Sequence, residues 1–137
     1  MQVKIIRNRN TYDECVEYIS NEMVEAARYL PLKRETFNIA RPTKGAALGY
    51  RARALLYAAS PLMNGNDDNY AASLVDDKGN RLLNPVYDEE KWAKAAAAAR
   101  DIMELKGDNG LPRYELYHAA AREKDADEDG AYPATIK

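Results

Sequence analysis

The chain is expected to fold as an all-α, antiparallel helical array with one long loop insertion. Three observations carry that expectation. Three segments place apolar residues at helical spacing, a capping residue stands at the head of each, and the central segment is so rich in small residues that it has almost no solvent face. At 137 residues the chain has the length of one domain, which would bury roughly two thirds of its extended-chain surface. Residues 1–137 are therefore taken as a single partial domain.

Residues 1–10 hold a short β-prone patch, Val3 to Ile6, followed by polar Arg7 to Asn10, and form a lead-in. The first helix is placed at about 11–30, because Thr11 is a good N-cap and Glu14 three residues later completes a capping box. On a helical wheel Tyr12, Cys15, Val16, Ile19, Met23, Ala26, Ala27 and Leu30 gather into one arc, with Glu17, Asn21, Glu25 and Arg28 opposite. Pro31 ends this helix. In the linker from Leu32 to Pro42, Phe37 is expected to plug the gap between helices.

A second helix is placed at about 43–60, with Thr43 as its N-cap. Leu48, Ala52, Leu55, Ala59 and Leu62 form one stripe, Ala47, Ala54 and Ala58 a second, and Tyr50 and Tyr57 a third side. Only a narrow wedge near Gly49, Arg53 and Ser60 is left for solvent, so this helix should be surrounded by others. Gly45 and Gly49, one turn apart among alanines, are expected to let neighbouring helices approach closely, and a leucine at Gly49 should loosen the fold. Arg51 falls between the two apolar stripes, where an unpaired guanidinium costs several kcal/mol. Glu22 or Glu25 on the preceding helix is the expected partner in a structural ion pair, the alternative being a ligand contact at a cleft.

The stretch 61–87 is read as a long loop with clusters of Asn, Asp and Gly and little periodicity, turning at Asp77-Lys78-Gly79-Asn80. Loops of that length inside a compact domain are usually functional. Asp88 then caps a third helix at about 89–106, closed by Gly107. Trp92, Ala95, Ala96, Ala99, Ile102 and Met103 share a face on which Trp92 should anchor the helix to the pair before it. A weaker helical stretch at 116–124 leads into an acidic tail, 125–137.

The bulk numbers narrow the function. Twenty basic against 22 acidic residues, interleaved rather than striped, give no case for nucleic acid. The single cysteine, Cys15, excludes an intramolecular disulfide and is expected to be a buried small hydrophobe. No run has the apolar length of a membrane span.

No nucleophile, base and orienting acid can be assembled around His118, the one histidine, and no carboxylate pair sits in an apolar cleft-like segment, so no enzyme and no cofactor is expected. Gly45 to Gly49 lie within a helix rather than at a strand-to-helix turn, against a nucleotide site. Asp125, Asp127, Asp129 and Gly130 match positions 1, 3, 5 and 6 of a calcium loop, but position 12 falls on Ile136 and Pro133 blocks the following helix, so a solvated tail is the favoured reading. Glycan recognition needs an aromatic face and converging polar groups. Tyr70 and Tyr87, with Asn64, Asn66, Asp67, Asp68 and Asn69 as candidate hydroxyl partners, are the loop residues that offer them, although ordinary loop packing is the favoured reading of such tyrosines.

The segment Arg41 to Gly65, RPTKGAALGYRARALLYAASPLMNG, resembles a central helix of the SusD/RagB family, the outer-membrane nutrient-binding lipoproteins of Bacteroidetes. Tyr18-Ile19 and Leu30-Pro31 resemble the end of the family's preceding helix, and Trp92 with its alanine run the next one, so that the likeness extends over about Tyr12 to Tyr117. The resemblance implies tetratricopeptide-like helix pairs and a parent several times longer, lipid-anchored on the outer face of the outer membrane. That parent would bind an extracellular oligosaccharide or other nutrient and pass it to a SusC-like TonB-dependent transporter. Met1 is then expected to begin an excised piece, since no signal peptide precedes the first helix. The family's ligand site is built largely outside the helix pairs, so a helical protein-interaction scaffold without sugar affinity is the rival expectation for this piece.

Overall fold

The computed structural model describes residues 9–116, and the expected lead-in patch at Val3 to Ile6, the weak helix after Leu116, His118 and the acidic carboxylates Asp125, Asp127 and Asp129 lie outside that range. Within it the fold is all-α. Helices α1 (Tyr12–Tyr29), α2 (Lys44–Ala59), α3 (Asn69–Ser73) and α4 (Glu90–Met103) follow one another, with a single 3-10 turn at Thr36–Asn38. Helix α2 packs against both α1 and α4, which do not pack against each other, so the three long helices form an antiparallel helix-pair array with α2 in the middle.

Local chemistry sets the helix starts. At α1 the Thr11 hydroxyl accepts from the Glu14 N–H at 3.2 Å while the Glu14 carboxylate accepts from the Thr11 N–H at 2.7 Å, satisfying two orphan donors reciprocally. Those bonds hold the Glu14 carboxyl below its ordinary range. Thr43 caps α2 by accepting from Ala46 N–H, and Asp68 caps α3 through Ala71 N–H. At the head of α4 the Asp88 carboxylate, the expected cap, accepts from the Glu90 N–H at 2.9 Å while Glu89 makes no side-chain cap bond, and the helix ends at Met103, short of the expected Gly107.

The interior is built from small residues. Among the described residues the buried apolar set is Val16, Leu83 and seven alanines, including Ala58 and Ala59 of α2 and Ala95 and Ala98 of α4. Alanine faces let helix axes come close together, which is how α2 touches two neighbours. Several sequence expectations change here. Helix α4 turns Lys91, Ala95, Ala98 and Ile102 inward, so Trp92 is 41% exposed and is no buried anchor. Phe37 is 84% exposed and plugs nothing, and Cys15 is exposed on the surface of α1. Tyr50, Leu56 and Tyr57 leave one side of α2 open, so it is only partly surrounded.

The two glycines of α2 also part company. A side chain at Gly45 would overlap the ring of Tyr114, with Cε2 and Cζ both at 2.7 Å, whereas at Gly49 it would meet nothing within 4 Å. The close neighbour at Gly45 is thus a tyrosine ring beyond α4 rather than the neighbouring helix that was expected, and the expected role of Gly49 is overturned.

The long loop is more ordered than its composition suggests. It contains α3 and a tight hairpin bridged at Val75 and Arg81. A second hairpin, bridged at Lys106 and Pro112, follows α4. Both turn through a glycine at positive φ, Gly79 (+83°) and Gly110 (+76°), and the same backbone bonds recur at a shift of 31 residues: Leu82 N–H to Leu74 carbonyl, then Arg113 N–H to Leu105 carbonyl. The motif Leu-x-x-Asp-x-Gly stands at the head of each, Leu74 to Gly79 and Leu105 to Gly110.

Candidate functional site: a polar groove over the central helix

Because α1 and α4 flank α2 without packing against each other, a groove runs between them with α2 as its floor. Its volume is about 430 Å³. Asp13, Glu17 and Asn21, spaced one turn apart, line the α1 wall, while Lys91 and Lys94 line the α4 wall. Arg51, Leu55 and Ala58 form the floor, and Asp88 stands at one end.

Two ionic links tie the walls together. The Arg51 guanidinium donates through Nε to Ser20 Oγ on α1 at 3.2 Å and through Nη1 to Asp101 Oδ2 on α4 at 2.5 Å. Its carboxylate is therefore Asp101, not Glu22 or Glu25, and Glu25 is instead paired with Arg28 at 2.8 Å. Near the other end Lys91 Nζ donates to Asp13 Oδ1 at 2.6 Å, with the lysine side chain only 12% exposed. Burial of a long cationic side chain is tolerated because a charge-assisted bond replaces part of its hydration. Each link spans from the outer wall or floor to a different helix, so the groove is braced rather than closed.

The loop residues take other positions. Tyr70 and Tyr87 are both more than half exposed, and neither lines the groove. The Asn66 amide is used at both ends, its Nδ2 donating to the Leu62 carbonyl and its Oδ1 accepting from Asp68 N–H. Asp68 spends one carboxylate oxygen on the α3 cap and keeps the other free. The loop is fastened from beneath by Asn64, one of the residues expected to offer its amide to a ligand hydroxyl. Its buried amide donates to the Asp88 carbonyl at 2.8 Å and accepts from the Asp88 N–H at 2.9 Å, imitating a strand pairing across 24 residues. Beside it Gly65 has φ +79°, and a side chain there would meet the backbone of Tyr87 at 2.7 Å. The base of the loop is thus fixed against the start of α4, and the Tyr12 N–H to Leu82 carbonyl bond fixes its far limb against α1.

A second, apolar surface lies across α1 and α2, where Ile19, Met23, Tyr50, Ala54 and Tyr57 surround Arg53. The Arg53 guanidinium rests over the Tyr57 ring, 5.6 Å from its centre, and donates to the Tyr57 hydroxyl. That bond is the main reason its pKa is raised.

Among the described residues no group of three or more His, Cys, Asp or Glu side chains is placed to hold a metal ion, and no helix is long and apolar enough to cross a membrane. The arrangement suits binding by hydrogen bonds and apolar contact.

No family model matches the chain, and no curated protein does. Solved structures do. The structure of BT4246 is 34% identical over 74% of this chain and 18% of its own, with a TM-score of 0.63, and selenomethionine BT4246 is 38% identical over 68% of this chain and 16% of its own, with a TM-score of 0.58. The chain thus spans less than a fifth of the length of the structures it matches. BT4246 is a SusD/RagB-family protein, so the likeness, at the level of fold, falls in the same family that residues 12–117 resemble in sequence.

Proposed function

We infer that the chain is the helix-pair region of a SusD-like binding protein that captures an extracellular glycan or related nutrient without altering it chemically. The same reading has the full-length protein lipid-anchored at the outer membrane and delivering its ligand to a SusC-like TonB-dependent transporter. The observation that carries it is the match to BT4246, in which identity above 30% and a common fold coincide over about two thirds or more of this chain. In this role α2 braces its neighbours, and the loop fastened at Asn64 offers the exposed Tyr70 and Tyr87 rings as aromatic faces. Co-purification of the full-length protein with the transporter, together with binding on a glycan array, tests the reading. Absence of any glycan signal from the full-length protein overturns capture.

A second reading, a helical interaction scaffold without sugar affinity, is favoured by the apolar surface around Tyr50 and Tyr57. Transporter capture that persists while every glycan fails to bind would select it.

A further inference from the structure

We propose that Asn109 is a site of spontaneous covalent conversion, in which its side-chain amide is displaced by the backbone nitrogen of Gly110 and the product loosens Tyr114 from the head of α2. This goes beyond ligand capture and holds whatever the protein binds.

Two Asn-Gly pairs stand among the described residues, Asn64-Gly65 and Asn109-Gly110. An asparagine before glycine is open to attack on its side-chain carbonyl carbon by the next backbone nitrogen. Glycine has no side chain to block the approach, and its backbone rotates freely into it. The fold treats the two pairs oppositely. Asn64 is 3% exposed, its amide is engaged at both ends by Asp88, and Gly65 is backed by the Tyr87 backbone. Asn109 and Gly110 are exposed at the tip of the second hairpin.

The first hairpin shows what is particular to the second. There the Asp76 carboxylate accepts from the Asn80 N–H, and the residue before the turn glycine is Lys78, which has no amide to lose. In the second hairpin Gly107 stands in the place of Asp76, and the equivalent N–H, that of Leu111, is accepted at 3.1 Å by Asn109 Oδ1. The missing side chain at Gly107 makes room, since a Cβ there would lie 2.9 Å from that oxygen. The Asn109 side chain is thus folded back along the turn toward the Gly110 nitrogen. The Leu111 N–H also polarises the side-chain carbonyl and meets the charge that develops on its oxygen during attack. One restraint opposes the reaction: the Gly110 N–H donates to the Gly107 carbonyl at 3.0 Å and must be released. That bond closes the tip of a hairpin with one bridge, Lys106 to Pro112, where local opening costs least.

In the conversion the Gly110 nitrogen bonds to Asn109 Cγ and the Cγ–Nδ2 bond breaks. Nδ2 leaves as ammonia, carrying the proton that the Gly110 nitrogen gives up. Water then opens the resulting succinimide. Attack at Cγ gives aspartate, whereas attack at the backbone carbonyl carbon gives isoaspartate, whose main chain runs through Cβ and Cγ. Water is the only co-reactant. Either product places a new negative charge beside Asp108. Isoaspartate also lengthens the main chain within the turn, against the bonds from Gly107 N–H to the Leu111 carbonyl and from Arg113 N–H to the Leu105 carbonyl. Tyr114, whose ring fills the space over Gly45, follows Arg113 directly, so its hold on α2 weakens as Asn109 converts.

The test incubates the 137-residue chain at mildly alkaline pH, folded and in urea, and follows both Asn-Gly peptides by mass spectrometry. In urea the two pairs should convert at similar rates. In the folded chain Asn109 should stay within about tenfold of its rate in urea, while Asn64 should slow by about a hundredfold or more, since it reacts only when the loop base opens. Wild type should show a shift of the Gly45 amide resonance that grows with isoaspartate. Asn109→Lys, which supplies the residue the first hairpin carries at this place, should abolish conversion in that peptide and leave the Gly45 resonance fixed. Folded-state conversion of Asn64 as fast as that of Asn109 overturns the proposal, as does an Asn109 slowed as much as Asn64. A Gly45 resonance unmoved in the converted chain overturns the link to α2.

Discussion

The helices and the long loop of this chain are held by opposite means. Helices α1, α2 and α4 meet through alanines, with no large side chain fully buried among the described residues, and their contact depends on how closely backbones approach. The loop between α2 and α4 adds Ala71 and Leu83 to the buried set but is fastened by a few directed bonds, above all the paired contacts of the Asn64 amide with Asp88. Close packing resists added volume, whereas a polar fastening resists loss of a partner. Substitutions of the two kinds should therefore fail differently.

The largest effect is expected at the loop base. Gly65→Ala adds a methyl group against the Tyr87 backbone at a positive φ, so a loss of about 3 kcal/mol in urea unfolding is expected, with the loop released before the helices by hydrogen exchange. A loss below 1 kcal/mol would mean that the loop base yields readily. Next comes the helical side. Ala98→Leu, at a position with no exposure, should cost about 2 kcal/mol by forcing α4 away from α2, and an unchanged midpoint would contradict alanine-limited contact.

Asn64→Ala should cost about 1.5 kcal/mol, because it leaves the Asp88 N–H and carbonyl without their partner. Amide protection should fall at Asp88 while the middle of α2 stays protected, a split that a general loss of stability would not produce. On the open side of α2 the sign reverses. Gly49→Ala should stabilise the chain by about 0.5–1 kcal/mol, since alanine is the better helix former and nothing stands in its way, and destabilisation would place a neighbour there.

The smallest effect concerns the head of α1. Thr11 holds the folded-state Glu14 carboxyl below its ordinary value near 4.5, so the capping box contributes fully above that pH and is lost as pH falls through the lower folded value. Acidification should fray the first turn of α1 in wild type, and Glu14→Gln should flatten that dependence in amide exchange.

The contrast also explains which parts of the molecule were legible in its sequence. Caps are local, so Thr11 and Thr43 marked the starts of α1 and α2 within a residue. The inward face of α4 was not legible, because a run of alanines offers no difference in size from which to choose a side. Trp92 looked like the obvious anchor, yet Ala95 and Ala98 made the contact. Phe37 and Cys15 failed for a related reason: apolar character alone does not say whether a neighbour is present. The partner of Arg51 was sought one helix back, while Asp101 lies 50 residues on and reaches it only because α4 packs on α2. The groove belongs to the same class of feature, since it arises between two helices whose link is the Lys91–Asp13 ion pair rather than packing. The 31-residue recurrence of the hairpins was written in Leu-x-x-Asp-x-Gly: the first copy was legible as a turn at Asp77-Lys78-Gly79-Asn80, while the second, Leu105 to Gly110, was hidden behind the expected end of the third helix at Gly107.

An interior of alanines has a thermodynamic signature as well as a geometric one. Both the heat capacity of unfolding and the denaturant slope grow with the apolar and total surface that unfolding newly exposes. A chain that keeps Tyr50, Tyr57, Trp92 and Phe37 in water when folded has little left to expose. Taken alone, it should melt over a wide temperature range with a shallow stability curve, and surfaces that cover those rings should steepen that curve.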